Sequence, residues 1–146
     1  MRAFRVLILA GCLFAAATVV PASASHREGP CSFHRGADEG IRHFSIRQIR
    51  CAVEAFGPVP GGADRAICIA RRESGLWPDA SSLTEMYLGL YQHAAEYWEW
   101  RYDTFTRRAW DLPMSALRGR TNAIVAIRMV ADAGTWGAAG WPRKDC

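Results

Sequence analysis

Glu73 stands where a carboxyl could serve as an acid. It falls in the last turn of a helical pattern that Asp64 can cap and that runs to about Ser74, with Gly75 as its stop. The negative end of a helix disfavours a carboxylate there by roughly 0.3–1 kcal/mol when exposed. Leu76 and Trp77 add apolar surroundings. Both effects favour the protonated form, which is what a general acid needs near neutral pH. The competing reading is a solvated glutamate paired with Arg71 or Arg72. Two more carboxyls, Asp79 and Glu85, follow at short range. Each reads more readily as a loop surface charge, Asp79 because Pro-Asp is a common turn pair. His26, His34, His43 and His93 lack zinc-ligand spacing and no cysteines form a C-x-x-C pair, so neither a metal nor a cofactor is expected.

The elements that must position these groups are mostly helical. Ser45-x-x-Gln48 has the form of a capping box, and Ile46, Ile49, Val53 and Phe56 behind it share one helical face that Gly57-Pro58 ends. Ile67 and Ala70 mark the inner face of the second helix. Leu76–His93 has no helical period and carries Pro78, Ser81, Ser82 and Gly89, so it reads as turn plus short strands. Ala94–Trp110 is aromatic-rich and helical in its first half. Asn122–Ala133 is a further helix, with Ile124, Ile127 and Val130 inward and Gly134 at its end. The expected fold class is α+β, mostly α, in one domain over 44–146, preceded by an extended arm over 25–43.

Composition and the N-terminus bound the setting. Of 146 residues, 50% are hydrophobic and 22% charged, which excludes a disordered or low-complexity chain. Met1–Ala24 has the form of a secretory signal: Arg2 and Arg5, an apolar run Val6–Val20 of 15 residues, and Ala22-Ser23-Ala24 as a small-x-small cleavage site. The run is short of the roughly 18–20 residues that span a bilayer. Leu9-Ala10-Gly11-Cys12 also has the form of a lipobox, a less favoured reading because Leu13–Val20 would remain as an apolar stub. Loss of Arg2 and Arg5 takes the net charge from +4 to +2, too small for a nucleic-acid footprint. A secreted or wall-associated monomer with no membrane span is expected.

Arg72-Glu73-Ser74-Gly75, followed by Gly89-Leu90-Tyr91-Gln92, resembles the soluble lytic transglycosylase and goose-type lysozyme superfamily. There a helix ends in Glu-Ser and a downstream Gly-Leu-x-Gln lines the cleft. The closing Gly134-Thr135-Trp136-Gly137 through Trp141-Pro142 and Cys146 is similar to the end of resuscitation-promoting-factor domains. The resemblance covers about Ser45 to the C-terminus. It implies a lysozyme-like fold with a small β or turn element after the catalytic helix, and cleavage of the MurNAc-GlcNAc β-1,4 bond of peptidoglycan glycan strands. Glu73 would act as acid and then base, with Ser74, Gly89, Leu90, Tyr91 and Gln92 along the substrate. Three departures stand out. Met129 occupies the place of a frequent tyrosine, the Tyr-Asn-Ala-Gly segment is absent, and the interval between Ser82 and Gly89 is long. Most glycosidases use two carboxyls; the resembling transglycosylases use one, closing a 1,6-anhydro ring on muramic acid. A hydrolase of the same bond would need Asp79 or Glu85 as its second carboxyl. Sugar rings stack on aromatic faces, and Tyr97, Trp98, Trp100, Tyr102, Phe105 and Trp110 cannot all be core. Trp98 is a candidate platform among them. Gln92 could hydrogen-bond an acetamido group.

Four cysteines remain after signal cleavage, which implies two disulfides. An antiparallel pair of the first two helices would bring Cys51 level with Cys68, leaving Cys31 for Cys146. The resemblance implies instead Cys68–Cys146 with Cys31–Cys51. Helix-pair geometry favours the first pattern. The alternative to an enzyme is an exported, disulfide-stapled module on the same fold that binds glycan or protein without catalysis.

Overall fold

The structure, a computed structural model, describes residues 29–146. The signal segment, its cleavage site and Cys12 lie outside the described residues. Four helices follow in order: α1 (Ile41–Phe56), α2 (Gly62–Ser74), α3 (Trp98–Phe105) and α4 (Gly119–Ala133). Between α2 and α3 sits an antiparallel ribbon of β1 (Tyr87–Leu88) and β2 (His93–Ala94), with Tyr87 opposite Ala94 and Leu88 opposite His93. Ser81 adds a single bridge to Leu88. The chain is therefore α+β and mostly α, with its β element after α2.

α4 is the hub. Ala123–Ile127, Met129 and Val130 are all buried, so the helix is apolar on nearly every side and packs on both α1 and α3. Ile49 and Ala52 of α1 and Ala66, Ile67, Ile69 and Ala70 of α2 complete the core, with Trp136 and Trp141 from the C-terminal tail. Among the described residues no helix is long and apolar enough to cross a membrane.

Three expectations are corrected. α1 begins at Ile41, after Gly40, so Ser45 and Gln48 are no capping box but buried residues of the second turn. The arm causes the extension: Phe33 packs edge-on against Phe44, and the Arg47 guanidinium lies 4.6 Å from the Phe33 ring. Tertiary packing thereby starts the helix within the stretch read as arm. α2 begins at Gly62, with Gly61 left-handed before it and Asp64 in its first turn, not capping it. A carboxylate in that turn favours the helix dipole without closing a cap.

The third correction is the disulfide pattern, which is Cys31–Cys51 and Cys68–Cys146. Cys51–Cys68 fails on helical phase. At about 100° per residue, Cys68 lies roughly opposite the centre of the buried Ala66, Ile67, Ile69 and Ala70 arc, facing away from the core. Cys51 is turned about a third of a circle from Ser45, Gln48, Ile49 and Ala52 on α1. Each thiol meets a strand of chain passing over the outside, the arm in one case and the tail in the other. Two disulfides fit an oxidising, extracytoplasmic compartment.

Candidate functional site

Glu73 occupies the last turn of α2, which ends because Gly75 takes the left-handed conformation (φ 63°) and returns its N–H to the Arg71 carbonyl. Its carboxylate is mostly covered, its side chain 18% exposed, and its Oε1 accepts a hydrogen bond from Arg143 Nε at 2.9 Å. The partner is thus neither Arg71 nor Arg72 but a tail residue 70 positions away. The Glu73 hydrogen bond and charge raise the Arg143 pKa further above its ordinary value. Arg65 Nη2 donates to the Arg143 carbonyl at 2.9 Å, Arg72 pairs with Asp145, and Cys68–Cys146 anchors the end. Several contacts therefore hold the tail beside Glu73. The apolar setting expected of Leu76 and Trp77 is only half realised. Leu76 is buried, whereas Trp77 is exposed with the Arg42 guanidinium 5.3 Å from its ring.

Ser74 joins this helix end to the Gly89–Gln92 turn. Its hydroxyl lies 2.8 Å from the Leu90 carbonyl and 3.1 Å from that of Ala70. It positions backbone and does not present itself to a ligand. Gly89 has φ 75°, and a Cβ there would sit 2.1 Å from the Ala116 carbonyl and 2.3 Å from Asn122 Nδ2. Only glycine lets the turn approach α4 so closely. Gly89 is buried and, like Ser74, positions backbone.

Leu90, Tyr91 and Trp98 are corrected as substrate-lining residues. Leu90 and Tyr91 are wholly buried. The Tyr91 hydroxyl donates to the Ala66 carbonyl at 3.0 Å, and its ring packs against both Trp136 and Trp141, which also touch each other. Burial pushes the Tyr91 phenol well above its ordinary pKa. Trp98 packs its ring on His93 and donates its indole N–H to the Met114 carbonyl. Large rings with a single polar atom are as well suited to a core with one satisfied donor as to a cleft, and here the core took them. The aromatics of this stretch left strongly exposed are Tyr97 and Trp100. Gln92 differs. It is half-buried, its Nε2 donates to the Gly89 and Ala80 carbonyls, and it lines a pocket of about 80 Å³ with Tyr87, Arg101 and Trp141. Asp79 and Glu85 are exposed turn residues. Among the described residues no three or more of His, Cys, Asp and Glu converge as a metal-binding group.

Four positioning residues escaped the sequence reading. Asn122 accepts the Tyr91 N–H at 2.9 Å and donates to the Leu88 and Ala116 carbonyls, so one amide fixes the turn on α4. Its signal is a polar amide directly before the apolar run Ala123–Ile127, in the first turn of α4. Trp141 donates its indole N–H to the Tyr91 carbonyl at 2.8 Å, and two residues later the chain delivers Arg143 to Glu73. His93 is fully buried, with Nε2–H donating to the Asn122 carbonyl and Nδ1 accepting from Arg101 Nη1 at 3.2 Å.

Burial, reinforced by the Arg101 charge and opposed by the Asn122 bond, lowers the His93 pKa to about 3. The unfolded imidazole titrates near 6.5. Between those values the unfolded chain binds a proton that the folded chain refuses, so stability is full above about pH 6.5 and falls as pH falls toward 3. The slope is about 1.4 kcal/mol per pH unit. Urea unfolding from pH 7 to 5 should show wild type losing about 2 kcal/mol more than His93→Gln; equal losses would place the proton elsewhere.

No protein-family model matches the chain, and no curated protein or solved structure matches it.

Proposed function

We propose that the chain is an exported peptidoglycan-cleaving enzyme, a lytic transglycosylase of the MurNAc-GlcNAc β-1,4 bond that uses Glu73 as acid and then base. The observation that carries this reading is the Ser74–Leu90 hydrogen bond, because it joins the helix end bearing Glu73 to the Gly89–Gln92 turn. The order and types of these residues resemble those of the transglycosylases, and the two disulfides agree with export after the Met1–Ala24 signal.

In this reading Glu73 gives its proton to the bridging oxygen as the C1–O4 bond breaks. The carboxylate then takes the proton of the muramic C6 hydroxyl, whose oxygen bonds to C1. The proton is returned, no water is consumed, and one carboxyl suffices. Arg143 bonds Oε1, which leaves Oε2 to carry the proton while the ion-pair partner holds the carboxyl in place. Digestion of purified peptidoglycan, followed by mass analysis of the glycan ends, tests the reaction: transglycosylation leaves 1,6-anhydro ends and hydrolysis leaves reducing ends.

One observation favours a second reading, a glycan-binding module on the same fold. Arg143 holds Glu73 as an ion pair, an arrangement a binder could keep permanently closed. Purified protein that binds peptidoglycan but releases no fragments would establish that reading.

A further inference from the structure

Arg101 carries a charge that nothing nearby neutralises. It rises from α3 into the wall of the pocket of about 80 Å³ that Tyr87, Gln92, Gly140 and Trp141 also line. It is half-buried, and desolvation lowers its pKa. Among the described residues it makes no ion pair: its Nη1 donates to the neutral His93 Nδ1, its guanidinium lies 5.7 Å from the Tyr97 ring, and its buried Nε has no hydrogen-bond partner. Asp132 lines a neighbouring cavity of about 350 Å³ with Arg101 but forms no ion pair with it, and no acid lines the small pocket.

Holding a guanidinium half out of water without a counter-charge is costly, and a carboxylate is the group its fork of donors fits best. The pocket volume suits a carboxylate-sized group beside a water. Gln92 in the same wall belongs to the turn that Ser74 ties to the Glu73 helix. His93 stays uncharged down to about pH 3, which keeps Nδ1 an acceptor and fixes the guanidinium's direction.

We propose that Arg101 forms a carboxylate subsite that reads an acidic substituent of the bound glycan. This rests on the peptidoglycan reading for the identity of the ligand, though not for its chemistry. The carboxylate comes from one of two sources: the lactyl group of a peptide-free muramic acid, or the peptide attached to it.

The test has two arms. In the first, the Arg101 Nε–H resonance is followed by NMR while acetate, or its neutral counterpart acetamide, is titrated into the wild-type protein. A saturable shift with acetate alone is expected; identical responses to both would overturn the subsite. In the second, binding to Glu73→Gln protein is compared for a GlcNAc tetramer, a peptide-free muramyl oligomer and a peptide-bearing one. At least one muramyl ligand should bind about tenfold more tightly than the neutral tetramer, and Arg101→Gln should remove that preference while Arg101→Lys keeps part of it. The ligand that holds the preference names the source. Equal losses for neutral and charged ligands would overturn the proposal. Saturation by acetate with no glycan binding would uphold the subsite and overturn the peptidoglycan reading.

Discussion

Glu73→Gln is expected to lower wall-lytic activity at least about a hundredfold while leaving the fold intact. The amide is nearly isosteric and keeps an oxygen that can accept from Arg143 Nε, but it has no proton to give to the leaving oxygen. The lost ion pair is partly exposed, so its removal costs little stability. Solubilisation of purified peptidoglycan checks the activity, and circular dichroism on the same samples checks the fold. Retention of more than a few per cent of activity, above the roughly 1% or less that removing a general acid leaves, would exclude Glu73 from that role.

The second large effect concerns the tail. Cys68–Cys146 closes a loop of 78 positions and Cys31–Cys51 one of 20. Loop-closure entropy gives about 4.5 kcal/mol for the first and about 3 kcal/mol for the second. Either is a large share of the 5–15 kcal/mol that holds a typical domain together. Cys68→Ser with Cys146→Ser should therefore lower the melting temperature by roughly 10–20 °C, more than the matching change at Cys31 and Cys51. It would also loosen the segment that delivers Trp141 to the Tyr91 carbonyl and Arg143 to Glu73. Thermal unfolding of the two double variants decides the order. A smaller loss for the Cys68 and Cys146 pair would show that the tail is held by its tryptophans and not by the bridge.

Local signals were legible where backbone chemistry left one solution. Gly75 and Gly134 end α2 and α4 in left-handed conformations, as glycines after an apolar period should. The break between Leu76 and His93 contains the short strands its Pro, Ser and Gly content announced. The disulfide pairing that the resemblance implied is the one observed, whereas readings drawn from local pattern alone failed where a distant neighbour decided them. Ser45-x-x-Gln48 matches a cap locally, yet the arm packed on Phe44 carries the helix past it. Tyr91 and Trp98 satisfy either a cleft or a core, and the choice depends on Trp136, Trp141 and Met114. Glu73 carries no local mark of Arg143. The disulfide pairing turned on which face of each helix the thiols occupy, a question of phase that level positions along two helices do not answer.

Cleavage by a single carboxyl is tested most directly by mass spectrometry of the glycan ends released from purified peptidoglycan. Wild-type protein should produce 1,6-anhydromuramic ends, and Glu73→Gln protein should produce none. Intact glycan after exhaustive digestion by the wild type, or ends that are all reducing, would contradict it.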